Sequence, residues 1–234
     1  LDGRYIFTNG GAATTQIYNP AADTFAAGPA LSTGTSGAGS LFLPRTDGSA
    51  LLVVGGATSN TQLYNQITGA AGIGSFSAGP SLDGAAAAGT CGINGLGSVA
   101  IRKADGKYLI LSKANVSAVY DPIANTMTCS NTGPGTALGD GAHAIPYQDG
   151  KFLIIVGGNS TASYVYDQSA NTFTSHGTVL TAVTTGGLSL MRLDGTWQVI
   201  TGTDTCTSGC TNNLDLGMPM NGTNARYTTD DIST

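Results

Sequence analysis

The sequence predicts an all-β fold, a propeller of four-stranded blades, and three observations carry that prediction. An Asp-Gly pair recurs at 2–3, 47–48, 105–106, 149–150 and 194–195, and each is followed by a short apolar run. A Tyr-centred segment comes after each run, at Tyr18, Tyr64, Tyr120, Tyr166 and Tyr227. The composition disfavours helix: all 14 acidic residues are Asp, Glu is absent, and there are 35 Gly. Asp bonds its own backbone and favours turns, whereas Glu favours helices. Self-similarity at a period of about 45–58 residues marks a repeat architecture, and for β units a propeller satisfies it.

Each unit reads as four strands. The first lies just before the Asp-Gly, at 40–43, 98–101, 144–147 and 188–191. The Asp-Gly then makes a tight hairpin, because both residue types tolerate positive φ. The second strand is the apolar run, at 5–7, 51–54, 108–111, 152–156 and 197–200. Three of these runs lead into Gly-Gly, at 10–11, 55–56 and 157–158. A bare Gly pair bends a strand or admits a neighbouring backbone. The third strand centres on the Tyr, and in the last unit it is expected at 224–228.

A turn follows three of these strands almost unchanged, as Asn19-Pro20-Ala21-Ala22-Asp23-Thr24-Phe25, Asp121-Pro122-Ile123-Ala124-Asn125-Thr126-Met127 and Asp167-Gln168-Ser169-Ala170-Asn171-Thr172-Phe173. Its Thr-Phe or Thr-Met opens the fourth strand. The second unit keeps Tyr64 and Phe76 but inserts five residues between them. The blades run at about 1–31, 37–82, 96–133, 141–178 and 186–234. The first lacks its first strand and the last lacks a clear fourth, so the chain is expected to be part of a longer polypeptide, the alternative being that the two partial ends complete each other in a five-bladed ring. Leu1 in place of an initiator Met fits the same expectation.

The Asp-Gly turns, the Gly-Gly pairs and the Tyr-Asp-Pro-x-x-Asn-Thr turns together resemble the Kelch family of β-propellers, including the galactose-oxidase central domain. The resemblance covers nearly the whole chain. It implies six or seven blades in a closed ring. It also implies that ligands meet the loops joining strand 2 to 3 and strand 4 to the next blade.

Composition bounds function. Charged residues make up 10% of the chain, against about 25% in an average soluble protein, and the net charge is −5. With four Lys, five Arg and no basic run, the footprint for nucleic acid is missing. No apolar run approaches the ~20 residues of a spanning helix. Four cysteines read as two disulfides, Cys91 with Cys129 and Cys206 with Cys210, which places the chain outside the cytosol. Sequons at Asn115, Asn159 and Asn221 fall in expected loops and agree with export.

Candidate site residues are few. His143 opens an innermost strand, so with Asp140 beside it it faces any central tunnel. His176 falls in the next connecting loop, Asn159 in a strand 2–3 loop, and Asp204 in the long 202–224 insertion. The resemblance makes a copper radical oxidase the tempting reading, because in that family a Tyr-His pair opens an innermost strand. Here Ala142 precedes His143, and His176 is the only other histidine. Copper needs several imidazole or phenolate ligands at one point. Calcium could take oxygen ligands from Asp204, Asp215 and loop carbonyls, although no EF-hand spacing is present. A glycosidase needs two spaced carboxylates, and seven of the 14 Asp precede Gly in turns.

No catalytic set survives this reading, and no cofactor is expected. The chain is expected to be an exported, non-enzymatic binding or structural module. Its partner would be a protein or glycan at a surface, or a second copy of itself. The alternative is a galactose-oxidase-like copper radical oxidase or a carbohydrate-active enzyme whose remaining site residues lie outside this segment.

Overall fold

A computed structural model describes residues 3–32, 34, 36–56, 58–66, 73–83, 95, 97–112, 115–130 and 132–202, together with the backbone of 214–219. The described residues form five antiparallel sheets, three of four strands and two of three. Sheet 1 holds β1 (Tyr5–Thr8), β2 (Thr15–Asn19) and β3 (Thr24–Ala27). Sheet 2 holds β4 (Leu41–Pro44), β5 (Ala50–Val53), β6 (Thr61–Asn65) and β7 (Ser75–Ala78). Sheet 3 holds β8 (Val99–Arg102), β9 (Tyr108–Leu111), β10 (Ser117–Asp121) and β11 (Thr126–Cys129). Sheet 4 holds β12 (His143–Pro146), β13 (Phe152–Ile155), β14 (Ser160–Asp167) and β15 (Thr172–Val183). Sheet 5 holds β16 (Leu188–Met191), β17 (Thr196–Ile200) and β18 (Leu214–Pro219). Strand order follows chain order in every sheet. Among the described residues no helix is long and apolar enough to cross a membrane.

The second strands are apolar on both faces because each is covered on both. In β5, Leu52 and the following Val54 pack toward sheet 1, while Leu51 and Val53 pack toward sheet 3. In β9, Tyr108 and Ile110 meet sheet 2, whereas Leu109 and Leu111 meet sheet 4. In β13, Ile154 faces sheet 3, whereas Leu153 and Ile155 face sheet 5. Four apolar layers therefore separate five sheets. Burying one such side chain contributes roughly 1.5–3 kcal/mol. The first strands meet in succession, β4 with β8, β8 with β12 and β12 with β16.

The Asp-Gly hairpins at 47–48, 105–106, 149–150 and 194–195 form at the expected places, with one correction to their geometry, and Asp2 of the first pair lies outside the described residues. At 47–48, 105–106 and 194–195 only the Gly takes positive φ, between 79° and 82°. Each Gly N–H closes on the residue three before it, as Gly48 does on Arg45 at 3.3 Å. The Asp works through its carboxylate instead: Asp47 Oδ1 accepts from the Ser49 N–H at 2.9 Å, and Asp194 Oδ1 from the Thr196 N–H at 3.0 Å. Only at 149–150 do both residues enter the left-handed region, at 57° and 70°.

The Tyr turns share one polar lock. The hydroxyls of Tyr18, Tyr120 and Tyr166 donate to Oδ1 of Asp23, Asn125 and Asn171 at 2.9–3.0 Å. Each acceptor sits five residues on at φ 50–53°, a conformation that Asn and Asp tolerate. In sheet 2 the insertion removes that partner, and Tyr64 donates to the Ile73 carbonyl at 3.1 Å.

Two further expectations are corrected. The third strand of sheet 5 is β18, inside the segment read as an irregular insertion, and not at 224–228, which lies outside the described residues. The alternating Leu214-Asp215-Leu216-Gly217-Met218 is a short period-two pattern that the preceding cysteine pair obscures in the sequence. β15 runs on to Val183, well past the fourth strands of the other sheets, so His176 lies in a strand and not in a connecting loop.

Glycine is required where the turns leading into the first strands touch one another. Gly39, Gly97 and Gly141 have φ of 80–82°, and a Cβ on them would lie 1.8–2.1 Å from a carbonyl oxygen of the next turn. Gly177, by contrast, lacks a positive φ, and a Cβ added to it would meet nothing within 4 Å. Gly39→Ala is expected to cost about 2 kcal/mol or more, a Tm loss of roughly 4–8 °C for a domain of this size. Gly177→Ala should melt with the wild type. Thermal unfolding followed by circular dichroism compares the two, and equal losses would show that the close approach is not what demands glycine.

Candidate functional site

Four turns precede the first strands of sheets 2 to 5, at 37–40, 95–98, 139–142 and 184–187. Each is closed by a bond from its fourth N–H to its first carbonyl, at 3.0–3.2 Å. Each carries Gly third, as Gly39, Gly97, Gly141 and Gly186, with φ of 80–85°. That is the geometry of a type II turn, whose third position needs positive φ. Gly39 abuts Gly95, Gly97 abuts Gly139, and Gly141 abuts Thr184. The turns therefore form a continuous backbone rail along the first strands.

The exits of the second strands press on the same rail. Gly55 has φ 73°, and a Cβ there would lie 2.7 Å from the Gly37 and Ala38 carbonyls. Gly157 stands likewise against turn 139–142, and Gly202 against turn 184–187. The backbone closes these junctions: Gly56 N–H donates to Ala38 O at 3.0 Å, and Gly158 N–H donates to Asp140 O at 2.8 Å. At 55–56 and 157–158 the Gly pair approaches a neighbouring backbone as foreseen, whereas at 10–11 a Cβ on either glycine would meet nothing within 4 Å.

His143 opens β12 beside this rail, half-buried. Its Nδ1 lies 2.7 Å from the Gly141 carbonyl, and its Nε2 lies 2.6 Å from Ser189 Oγ on β16. A carbonyl can only accept, so Nδ1 carries the proton and Nε2 accepts from the Ser189 hydroxyl. Burial lowers the imidazole pKa below the usual histidine range, while the Gly141 carbonyl opposes that shift. Ser189 and a neutral imidazole form the nucleophile-and-base part of an acyl-transfer site. Their third partner is a neutral carbonyl, so a charge developing on the imidazole would have no carboxylate to balance it. As it stands, the pair ties sheet 4 to sheet 5.

The other candidates disperse. Asp140 accepts a bond from Thr185 Oγ1 at 3.1 Å, another tie between successive turns. His176 packs edge-on against Tyr147, with ring centroids 5.4 Å apart. Tyr147 follows the far end of β12, about 13 Å along the strand from His143 at the usual rise per residue. Asn159 lies exposed in the β13–β14 connection with φ 64°, its N–H bonded to Val183 O at 2.8 Å. Asp204, Cys91, Cys206 and Cys210 lie outside the described residues. Cys129 ends β11 and is not a free thiol. Asp215 stands in β18 opposite Val199.

The residues do not fit a copper centre among those described. Both nitrogens of His143 are engaged within the protein, Ala142 precedes it, and no group of three His, Cys, Asp or Glu converges among the described residues. A cavity of about 350 Å³ lies elsewhere, between sheets 1 and 2 at the Asp-Gly end, lined by Arg4, Tyr5, Phe42, Arg45, Tyr64 and Gln66 among others. No local pattern in the sequence marks it, because it is built from strands of two separate repeats and the hairpin of the second. Arg45 there is already committed. Its Nε and Nη2 donate to Pro122 O at 3.0 and 2.8 Å, and Nη1 lies 3.1 Å from Asp47.

Carboxylates on the turns, exposed at Asp47 and Asp194 and half-buried at Asp121 and Asp167, are held below their usual range. Asp167 is lowered first by the Ser169 hydroxyl, Asp47 by the Ser49 hydroxyl and Asp194 by the Thr196 hydroxyl. For Asp121 the first cause is the Ala124 N–H. The buried hydroxyls of Tyr120 and Tyr166 are pushed up, chiefly by burial.

No protein-family model matches the chain. No curated protein matches it either. Solved structures do. A fungal alcohol oxidase of the AA5 family, determined in complex with copper, aligns with a TM-score of 0.68 at 17% identity over 93% of this chain and 50% of its own. The structure of YjhT aligns with a TM-score of 0.61 at 12% identity over 99% of this chain and 82% of its own. The chain thus spans about half the length of the oxidase it matches. At these identities the likeness shows an all-β fold related to theirs.

The His143 geometry sets a pH dependence. The unfolded imidazole binds a proton more readily than the folded one. Stability is therefore fully present above the unfolded value, about 6.5, and falls as pH drops through it. The turn carboxylates, lowered in the fold, lose their share only below their unfolded range near pH 4. His143→Gln is expected to flatten the change in denaturation midpoint between about pH 7.5 and 5. A slope unchanged from wild type would show that the fold does not hold this imidazole neutral.

Proposed function

We propose that this chain is a segment of a Kelch-like β-propeller, exported, and working as a non-enzymatic binding or structural module. The first strands that meet in succession around the glycine rail, and the four apolar layers between successive sheets, support the propeller reading. One observation carries the functional reading. The single imidazole beside the rail has both nitrogens bonded inside the protein, and the neighbouring Asp140 is bonded to Thr185. A rigid stack whose polar groups are satisfied internally offers its connecting loops for recognition. The partner would be a protein or glycan at a surface, or another copy of the chain. The exposed sequon residue Asn159 agrees with export.

A second reading has its own support, the fold likeness to the copper-bound alcohol oxidase. In that reading the chain is part of a galactose-oxidase-like or carbohydrate-active enzyme, and its remaining site residues lie outside this segment.

Two measurements separate the readings. The purified chain is loaded with Cu(II), freed of excess metal, and assayed for bound copper and for peroxide released from primary alcohols, aldehydes and galactose. It is also applied to glycan and protein arrays. The module reading expects array binding, no peroxide, and residual copper that His143→Ala leaves unchanged. Stoichiometric copper lost in His143→Ala, with peroxide released, would establish the oxidase reading instead. Silence on both arrays would remove ligand binding by the loops.

A further inference from the structure

Two of the three sequons lie in the same connection of neighbouring sheets. Asn115 stands between β9 and β10, and Asn159 between β13 and β14, while Asn221 lies outside the described residues. Both Asn take a positive φ, 58° and 64°. A transferase that glycosylates asparagine reads two side chains, the Asn amide and the hydroxyl two residues on. The fold treats those two groups in opposite ways at the two sites. At Asn115 both are committed. Asn115 Oδ1 accepts from the Gly135 N–H at 3.0 Å, and a Cβ on Gly133 would lie 2.4 Å from the same oxygen. Ser117 is fully buried, and its Oγ donates to the Thr132 carbonyl at 2.5 Å. The motif is therefore clamped against the segment that leads from sheet 3 to sheet 4, and a transferase could reach it only by opening that clamp.

At Asn159 the fold uses neither group. The residue is exposed, and its tie to the protein is through the backbone, from its N–H to Val183 O at 2.8 Å. Thr161 is half-buried in β14, at the point where the ladder to β15 shifts register between Ser160 and Ala162. The residue between them takes the local bond instead: Ser160 Oγ accepts from the Ala162 N–H at 3.1 Å. Neither the Asn159 amide nor the Thr161 hydroxyl has a hydrogen-bond partner among the described residues.

We propose that Asn159 is an acceptor for an N-linked glycan and that Asn115, with the same motif in the same connection, is not. The donor is an oligosaccharide carried on a lipid pyrophosphate. Asn159 Nδ2 bonds to C1 of the first sugar, and the C1–O bond to the pyrophosphate breaks. The lipid pyrophosphate leaves with the electron pair, and the amide gives up one proton to the transferase. A glycan is bulky and solvated, so at Asn159 it keeps the connection beside turn 139–142 in solvent and leaves recognition to the other connections. The inference rests on the export reading, because the donor and its transferase belong to the secretory route.

The 234-residue chain is secreted from yeast behind a leader, with an unstructured tag that carries a sequon of its own. N-glycans are released enzymatically in heavy-oxygen water, which turns each occupied Asn into labelled Asp, and the peptides are mapped by mass spectrometry. Only molecules with a labelled tag are scored, so each has met the transferase. Circular dichroism verifies that they are folded. Label is expected at Asn159 in most molecules and not at Asn115. Thr161→Ala is expected to abolish the Asn159 label and Thr161→Ser to retain it. A synthetic peptide of residues 112–120, offered to microsomes, is expected to be modified at Asn115, which assigns its protection to the fold and not to a weak motif. A bare Asn159, a labelled Asn115 in the folded chain, or a peptide left unmodified would each overturn the proposal. Because the leader forces export, a bare Asn159 would leave the export reading standing. Retention of the native protein inside its cell would end the export reading and leave the acceptor chemistry intact.

Discussion

The fold depends on close approach of bare backbone. Four type II turns touch in series along the first strands, and the second-strand exits press down on three of them. At Gly39, Gly97 and Gly141 a methyl group would sit about 2 Å from a neighbouring carbonyl oxygen. Such a contact cannot be relieved by a rotamer change, because both partners are main chain. The glycines also hold φ near 80°, which an L side chain adopts at a cost. Steric permission and conformational permission thus fall on the same residues. At these three positions the freedom of the glycine is removed by the next turn.

From that rail the sheets stand side by side, and the apolar layers follow. Strands whose two faces both meet a neighbour must be apolar throughout, as Leu51-Leu52-Val53-Val54 and Phe152-Leu153-Ile154-Ile155-Val156 are. Away from the rail, polar ties span the same boundaries. Tyr108 donates to Pro44 O at 2.6 Å, Arg45 reaches Pro122 O, and Gln168 Oε1 accepts from Ala104 N–H at 2.7 Å. Such bonds contribute about 1 kcal/mol each, less than a buried leucine. Their larger effect is on register, since each joins a fixed turn of one sheet to a fixed turn of the next.

The same economy shapes the candidate site. The imidazole opens a first strand, and its bonds run inward, to a turn carbonyl and to a serine on the next first strand. A residue at the right place on a scaffold is not thereby a ligand. What its free valences meet decides that, and here they meet protein. The likeness to a copper-bound oxidase is one of fold, and the residues around His143 do not assemble that chemistry among those described.

Much of the fold is legible in the sequence because its signals are local. The Asp-Gly pairs, the period-two and apolar runs, and the Tyr turn with its Asn five residues on each fix a few consecutive dihedrals, and the strands form within a residue or two of where these predict. β18 escapes a sequence reading because its alternation spans only five residues and follows the Cys206 and Cys210 pair, which draws the eye to an insertion. His176 falls in a strand instead of a loop because nothing local says where a fourth strand stops. The position of His143 is readable, since it opens a first strand. Its Ser189 partner is not, because it lies 46 residues on and meets His143 only when two sheets stand together. The sequence by itself determined the strands of sheets 1 to 4 and the first two of sheet 5, apart from the reach of β15. Only the tertiary structure decided which glycines are irreplaceable and what the imidazole bonds to, because both depend on surfaces brought together from separate repeats.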